Sequence, residues 1–183
     1  MMEEEIKQNL KEKYNKKINI AIKVINFIFL VAWMGLVFYF SSEMGNESSS
    51  TSGNTIRKII TFFNDEIKLE DLNYIVETYQ PIVRKIAHFT LYTTGGVIIY
   101  NFINKFKINR SKKIIFSLLI GVLYAITDEL HQYFVPGRSS KILDVIIDSS
   151  GIITGILLFI IFIKIISIIQ NKLFVKFNNW LFM

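Results

Sequence analysis

The chain has 183 residues, 51% of them hydrophobic, with a mean hydropathy of +0.39 and a formal charge of +6. That balance is too apolar for a soluble domain of this size, and the length is too short for a large transporter, so the composition describes a small integral membrane protein. Cysteine is absent, which excludes disulfides, thiol chemistry and cysteine-based metal sites. The lysines lie beside apolar runs, where cytoplasmic loops collect them, so the positive charge does not point to a nucleic-acid partner.

The apolar runs predict an all-α membrane protein with four transmembrane helices, at about residues 18–40, 82–103, 114–134 and 142–169. Each is close to the roughly 20 residues needed to cross the hydrocarbon core. The first is expected to be a retained span, because its apolar run exceeds the roughly 7–15 residues of a signal-peptide core and no A-x-A-like site follows. Lys7, Lys11, Lys13, Lys16 and Lys17 precede it, Lys105, Lys107, Arg110, Lys112 and Lys113 fill the link between the second and third spans, and Lys172 and Lys176 follow the fourth. All three segments fall on one side of a four-span arrangement, so both termini are expected in the cytoplasm.

The other side receives the connection 41–81 and the turn 135–141. The first opens with SSEMGNESSSTSGN, which lacks apolar periodicity and reads as mobile coil. Ile56, Ile59, Ile60 and Phe63, then Leu72, Ile75, Val76 and Tyr79, recur at helical spacing and predict two short amphipathic helices on the outer membrane surface.

Ionisable groups converge toward this outer end. On the second span Arg84, His88 and Tyr92 lie one turn apart, with Lys85 beside them. The run 114–127 rises only about 21 Å, short of the roughly 30 Å core, so the third helix must continue through Asp128, Glu129, His131 and Gln132. Gly121, Tyr124, Asp128, His131 and Gln132 share one face, with Glu129 about a quarter-turn away. Pro136-Gly137 is a turn signal that returns Arg138 toward the site. On the fourth span Asp144 and Asp148 continue into Gly151 and Gly155, a small-residue face that directs the acidic stripe at a partner helix.

These residues resemble the VanZ-like family of small bacterial membrane proteins, named for a teicoplanin-resistance protein. The resemblance rests on FSSEMGNESSSTSG after the first span, VRKIAHFTLY opening the second, and DELHQYFVPGRSSKILDVIIDSSGIITG joining the third to the fourth. Glu43 departs from the glutamine that often follows the paired serines, and Thr94-Gly95-Gly96 replaces a more aliphatic stretch. The resemblance implies a single VanZ-like domain over residues 1–183 in the bacterial cytoplasmic membrane. It also implies a role in the cell envelope, where some members lower susceptibility to glycopeptide or lipoglycopeptide antibiotics.

The residues themselves admit several readings. Arg84, Lys85 and Arg138 could neutralise Asp128, Glu129, Asp144 and Asp148 and fix helix register. Alternatively, the ten groups Arg84, Lys85, His88, Asp128, Glu129, His131, Gln132, Arg138, Asp144 and Asp148 form a binding site for an envelope ligand such as a peptidoglycan precursor or a glycopeptide-type molecule. That second reading expects no cofactor and no metal. The enzymatic alternative uses Asp128 and His131 with His88 and Asp148 as metal ligands or an acid–base pair acting on a lipid-linked substrate. Transport would need oligomerisation of a chain this small, and the sequence leaves the oligomeric state open.

Overall fold

In the computed structural model, which describes residues 2–138 and 140–181, the chain forms five helices and no strand among the described residues. They are α1 (Met2–Ser42), α2 (Gly45–Phe63), α3 (Leu69–Asn104), α4 (Arg110–Tyr133) and α5 (Ile142–Leu181). α1, α4 and α5 are long and apolar enough to cross a membrane. Their outward faces carry exposed side chains such as Phe27, Ile28, Leu123, Leu158 and Ile161. The polar groups Asp128, Glu129 and Asp148 are buried instead, an arrangement that suits lipid outside and a polar interior.

α3 is the central element and packs against all four other helices. Its buried residues fall mainly between Tyr92 and Ile103, while Lys85 and Ile86 are exposed and Arg84 and His88 half-buried. The core joins Trp33 and Val37 of α1 to Tyr92 and Ile99 of α3, Ala125 of α4, and Ile152 and Ile156 of α5. Trp33 Nε1 donates to the Leu91 carbonyl at 3.1 Å, and its ring meets the edge of Tyr92 at 5.8 Å. The Tyr124 hydroxyl donates to the Met34 carbonyl, and Asn101 donates to Asn26 at 2.6 Å. Such polar ties between helices matter in a bundle that has no hydrophobic driving force of its own once in lipid.

The small residues set the distance between α3 and α5. A Cβ on Gly155 would strike the Thr93 carbonyl, and one on Gly151 would lie 2.6 Å from the Phe89 oxygen. Gly96 faces the Ile152 carbonyl across the same seam. The expectation that the acidic stripe meets a partner helix is met at Asp148, which with Gly151 and Gly155 faces α3, whereas Asp144 is half-buried and lines a cavity.

Two expectations for the connection 41–81 need correction. The serine-rich stretch is not coil: from Gly45 it is helix α2. Its hydroxyls bond back to their own helix, Ser52 to the Ser48 carbonyl and Thr55 to the Thr51 carbonyl, both at 2.9 Å. The helix docks on α3 through Ile56 against Leu72 and Val76, with Gln80 donating to the Ser49 carbonyl at 2.6 Å and Arg57 to Asn73 at 2.7 Å. This packing overrides a weak local propensity. Nor is the second amphipathic segment a separate helix. It is the first part of α3, which runs through Pro81 without a break at the cost of one intrahelical bond.

Candidate functional site

One end of the bundle, opposite the α3–α4 link, gathers the C-terminal part of α4, the N-terminal part of α5, the middle of α3 and the end of α1. Asp128, Glu129, Gln132 and Asp148 are all less than 5% exposed there. The His88 side chain is 25% exposed. His88, Asp128, Glu129 and Asp148 each offer one potential ligand atom, and these four atoms all lie within 4.8 Å of one another.

The hydrogen bonds around this cluster are one-sided. Tyr92 donates its hydroxyl to Asp128 Oδ2 at 2.9 Å, and Gln132 Nε2 donates to the same oxygen at 3.1 Å. Asp128 Oδ1, held by the same geometry, has no partner. His88 Nδ1 lies 3.5 Å from Asp148 Oδ1, near enough for an ion pair but without hydrogen-bond geometry, and both Asp148 oxygens are buried without a partner. Glu129 Oε2 accepts a long bond from the Lys141 amide at 3.4 Å. Buried polar atoms are paired in the great majority of cases, so three orphaned carboxylate oxygens and an imidazole nitrogen facing one another call for a physical explanation.

The expected cations do not supply it. Among the described residues neither Arg84 nor Arg138 forms an ion pair with Asp128, Glu129, Asp144 or Asp148, which corrects the expectation of direct neutralisation. Arg138 instead donates from Nη2 to the Phe40 carbonyl at 2.6 Å and from Nε to the Glu43 carbonyl at 3.0 Å. The cause is local: the last carbonyls of α1 lack intrahelical donors, and a guanidinium delivered by the turn satisfies them. Gly137 makes that turn with φ 74°, and the Pro136 carbonyl accepts from the Gly45 amide at 3.1 Å. By hydrogen bonds among the described residues, Arg138 connects to Asp128 through Gln132, whose Oε1 accepts from Nη1 at 3.4 Å. Burial, followed by the positive charge of Arg84, lowers the Arg138 pKa from the usual arginine value.

His131 also departs from its expected place. It leaves the acidic cluster, stacks on Phe38 with ring centroids 4.4 Å apart, and sets Nε2 3.1 Å from Ser42 Oγ. Glu129 takes the position in the cluster that the helical-face reading gave to His131. Ser41, which the sequence reading did not single out, is buried at this end and accepts from Gln132 at 3.4 Å.

Among the described residues, two cavities open beside the cluster. The smaller, about 100 Å³, is bounded by Arg84, Lys85, His88, Glu129, Asp144 and Asp148. The larger, about 320 Å³, lies between the end of α1, α2 and α3; its walls are largely apolar, as at Val83 and Leu91, with Arg84, Arg138, Ser52 and Thr55 supplying charge and hydroxyls. Arg84 and His88 line both. The α2 hydroxyls enter the site only because α2 is a docked helix, so a coil reading of that stretch could not have found them.

With three helices long and apolar enough to cross a membrane and a cluster of ionisable groups enclosed at one end, the fold is that of a helical membrane protein. The sequence profile of the VanZ/LLP1 family matches residues 26–163, a range that contains every candidate site residue, and the chain belongs to that family. No match to the chain was found among curated proteins or among solved structures.

Proposed function

We propose that this VanZ-family protein crosses the bacterial cytoplasmic membrane four times, with both termini inside, and lowers susceptibility to glycopeptide or lipoglycopeptide antibiotics by binding an envelope ligand at the outer leaflet. α3 serves as the fourth crossing: its residues 86–103 contain no Asp, Glu, Lys or Arg and rise about 27 Å. The lysines of the N-terminal segment and of the α3–α4 link support the orientation.

A single observation carries the ligand reading. Arg84 and Arg138 line one largely apolar cavity, and neither is neutralised by a carboxylate within ion-pair distance among the described residues. Two guanidinium groups beside hydroxyls and an apolar wall suit a molecule with a phosphate or carboxylate headgroup and a lipid-like or aromatic body. Lipid-linked peptidoglycan precursors and glycopeptide-type molecules have that chemistry. A second reading, a membrane-embedded metal-dependent or acid–base enzyme acting on a lipid-linked substrate, draws on the unpartnered atoms of His88, Asp128 and Asp148.

The test is a susceptibility panel of envelope-directed antibiotics in cells with and without the gene, with the antibiotic bound per cell measured alongside. Lower susceptibility to a glycopeptide or lipoglycopeptide, with altered antibiotic binding, is expected. Unchanged susceptibility and binding at confirmed membrane insertion would remove the antibiotic-related role.

A further inference from the structure

We propose that His88, Asp128, Glu129 and Asp148 form a binding site for one first-row divalent cation, of the Mn²⁺ or Zn²⁺ kind. The residues come from three different helices, and their four potential ligand atoms fall within 4.8 Å of one another. Ligands about 2.0–2.2 Å from a metal stand roughly 4.2 Å apart when opposite, so small side-chain rotations close the shell.

The cluster carries marks of a ligand set beyond proximity. Asp148 is fully buried with both oxygens unpartnered, and Asp128 Oδ1 and His88 Nδ1 are unpartnered beside it. Three carboxylates this close cannot all remain charged without a compensating cation, and no lysine or arginine among the described residues provides it by an ion pair. The surroundings also orient the ligands. Tyr92 and Gln132 both occupy Asp128 Oδ2 and leave Oδ1 turned to the cluster, the kind of outer hydrogen bonding that metal-binding carboxylates use.

One imidazole among carboxylates favours Mn²⁺ or Zn²⁺ over Ca²⁺, which takes oxygen ligands alone. His88, Glu129 and Asp148 all line the smaller cavity, which provides an entry path and an open coordination side. The site deepens the second reading above, whose unpartnered atoms it uses, and replaces the expectation of no metal at these four residues. The ligand reading rests on Arg84 and Arg138 and its test requires antibiotic, so either can fail alone.

The test uses the purified full-length chain in detergent, stripped with a chelator and titrated with Mn²⁺ while free Mn²⁺ is followed by electron paramagnetic resonance. Saturation at one Mn²⁺ per chain, with displacement by Zn²⁺, is expected. Asp148→Asn and His88→Gln should abolish saturable uptake, and His131→Gln should leave it unchanged. Should those ligand variants fail to fold, Tyr92→Phe retains the ring and its packing while freeing Asp128 Oδ2, and a loss of affinity of about 10–100-fold is expected. The proposal is overturned if the wild-type chain shows no saturable uptake, or if uptake is undiminished in both Asp148→Asn and Tyr92→Phe.

Discussion

Replacing Gly151 by alanine places a Cβ 2.6 Å from the Phe89 carbonyl oxygen, 3.0 Å from Tyr92 Cβ and 3.1 Å from the Thr93 nitrogen. Two of these are backbone atoms of α3 and cannot rotate away. Ordinary contact begins at 3.4 Å, so α3 and α5 must part by roughly 0.8 Å at this level, a distortion of the size for which overpacking costs about 1–3 kcal/mol. For a chain of this length that corresponds to a melting temperature lower by about 2–12 °C. The site feels the same displacement, because Gly151 lies one turn from Asp148, and Phe89 adjoins His88. The 3.5 Å separation of His88 and Asp148 should widen, and Mn²⁺ affinity should fall with stability. The control is Gly35→Ala, where nothing lies within 4 Å of an added Cβ. Thermal unfolding of both variants in the same detergent provides the measurement. A Gly151→Ala protein that melts with Gly35→Ala and binds Mn²⁺ like the wild type would refute the close α3–α5 contact as the element that positions the site.

The absence of cysteine makes topology directly measurable: with an impermeant maleimide on intact cells, Ser50→Cys should label and Lys107→Cys should not, both positions being exposed. The reverse pattern would overturn the orientation. His131→Gln should retain resistance and normal abundance, because the ring contacts α1 rather than the acidic cluster; complete loss at normal abundance would return His131 to the site. Arg138→Ala should reduce both stability and resistance, since it strips donors from the Phe40 and Glu43 carbonyls, and thermal unfolding beside susceptibility would reveal an error if stability did not change.

Much of the fold was legible because lipid-facing helices announce themselves as long apolar runs, as α1, α4 and α5 do. The meeting of Asp148, Gly151 and Gly155 with a partner helix was also legible, since small residues four apart carry a direct steric meaning. α2 was legible only in its second half, where Ile56, Ile59, Ile60 and Phe63 recur at helical spacing. The serines and threonines before them favour coil locally, and only docking on α3, through Ile56 and Gln80, reveals that the helix begins at Gly45. The exchange of His131 for Glu129 has a geometric origin. At about 100° per residue, the two flank Asp128 on opposite sides of α4, and sequence spacing does not say on which side α1 or α5 packs. Arg138 was placed at the correct end, but opposite charge suggested a carboxylate partner where the open carbonyls of a helix C-terminus were nearer.

The central claim, that the site binds an anionic envelope ligand, is tested most directly by Arg84→Gln. Among the described residues Arg84 makes no hydrogen bond or ion pair that holds the fold together, so loss of function there isolates ligand binding. A guanidinium contact to a buried anion is worth roughly 2–5 kcal/mol when truncated, enough to abolish protection at working concentrations. Cells carrying Arg84→Gln at wild-type abundance are predicted to show the glycopeptide or lipoglycopeptide susceptibility of cells without the gene. Full protection retained by that variant would contradict the account.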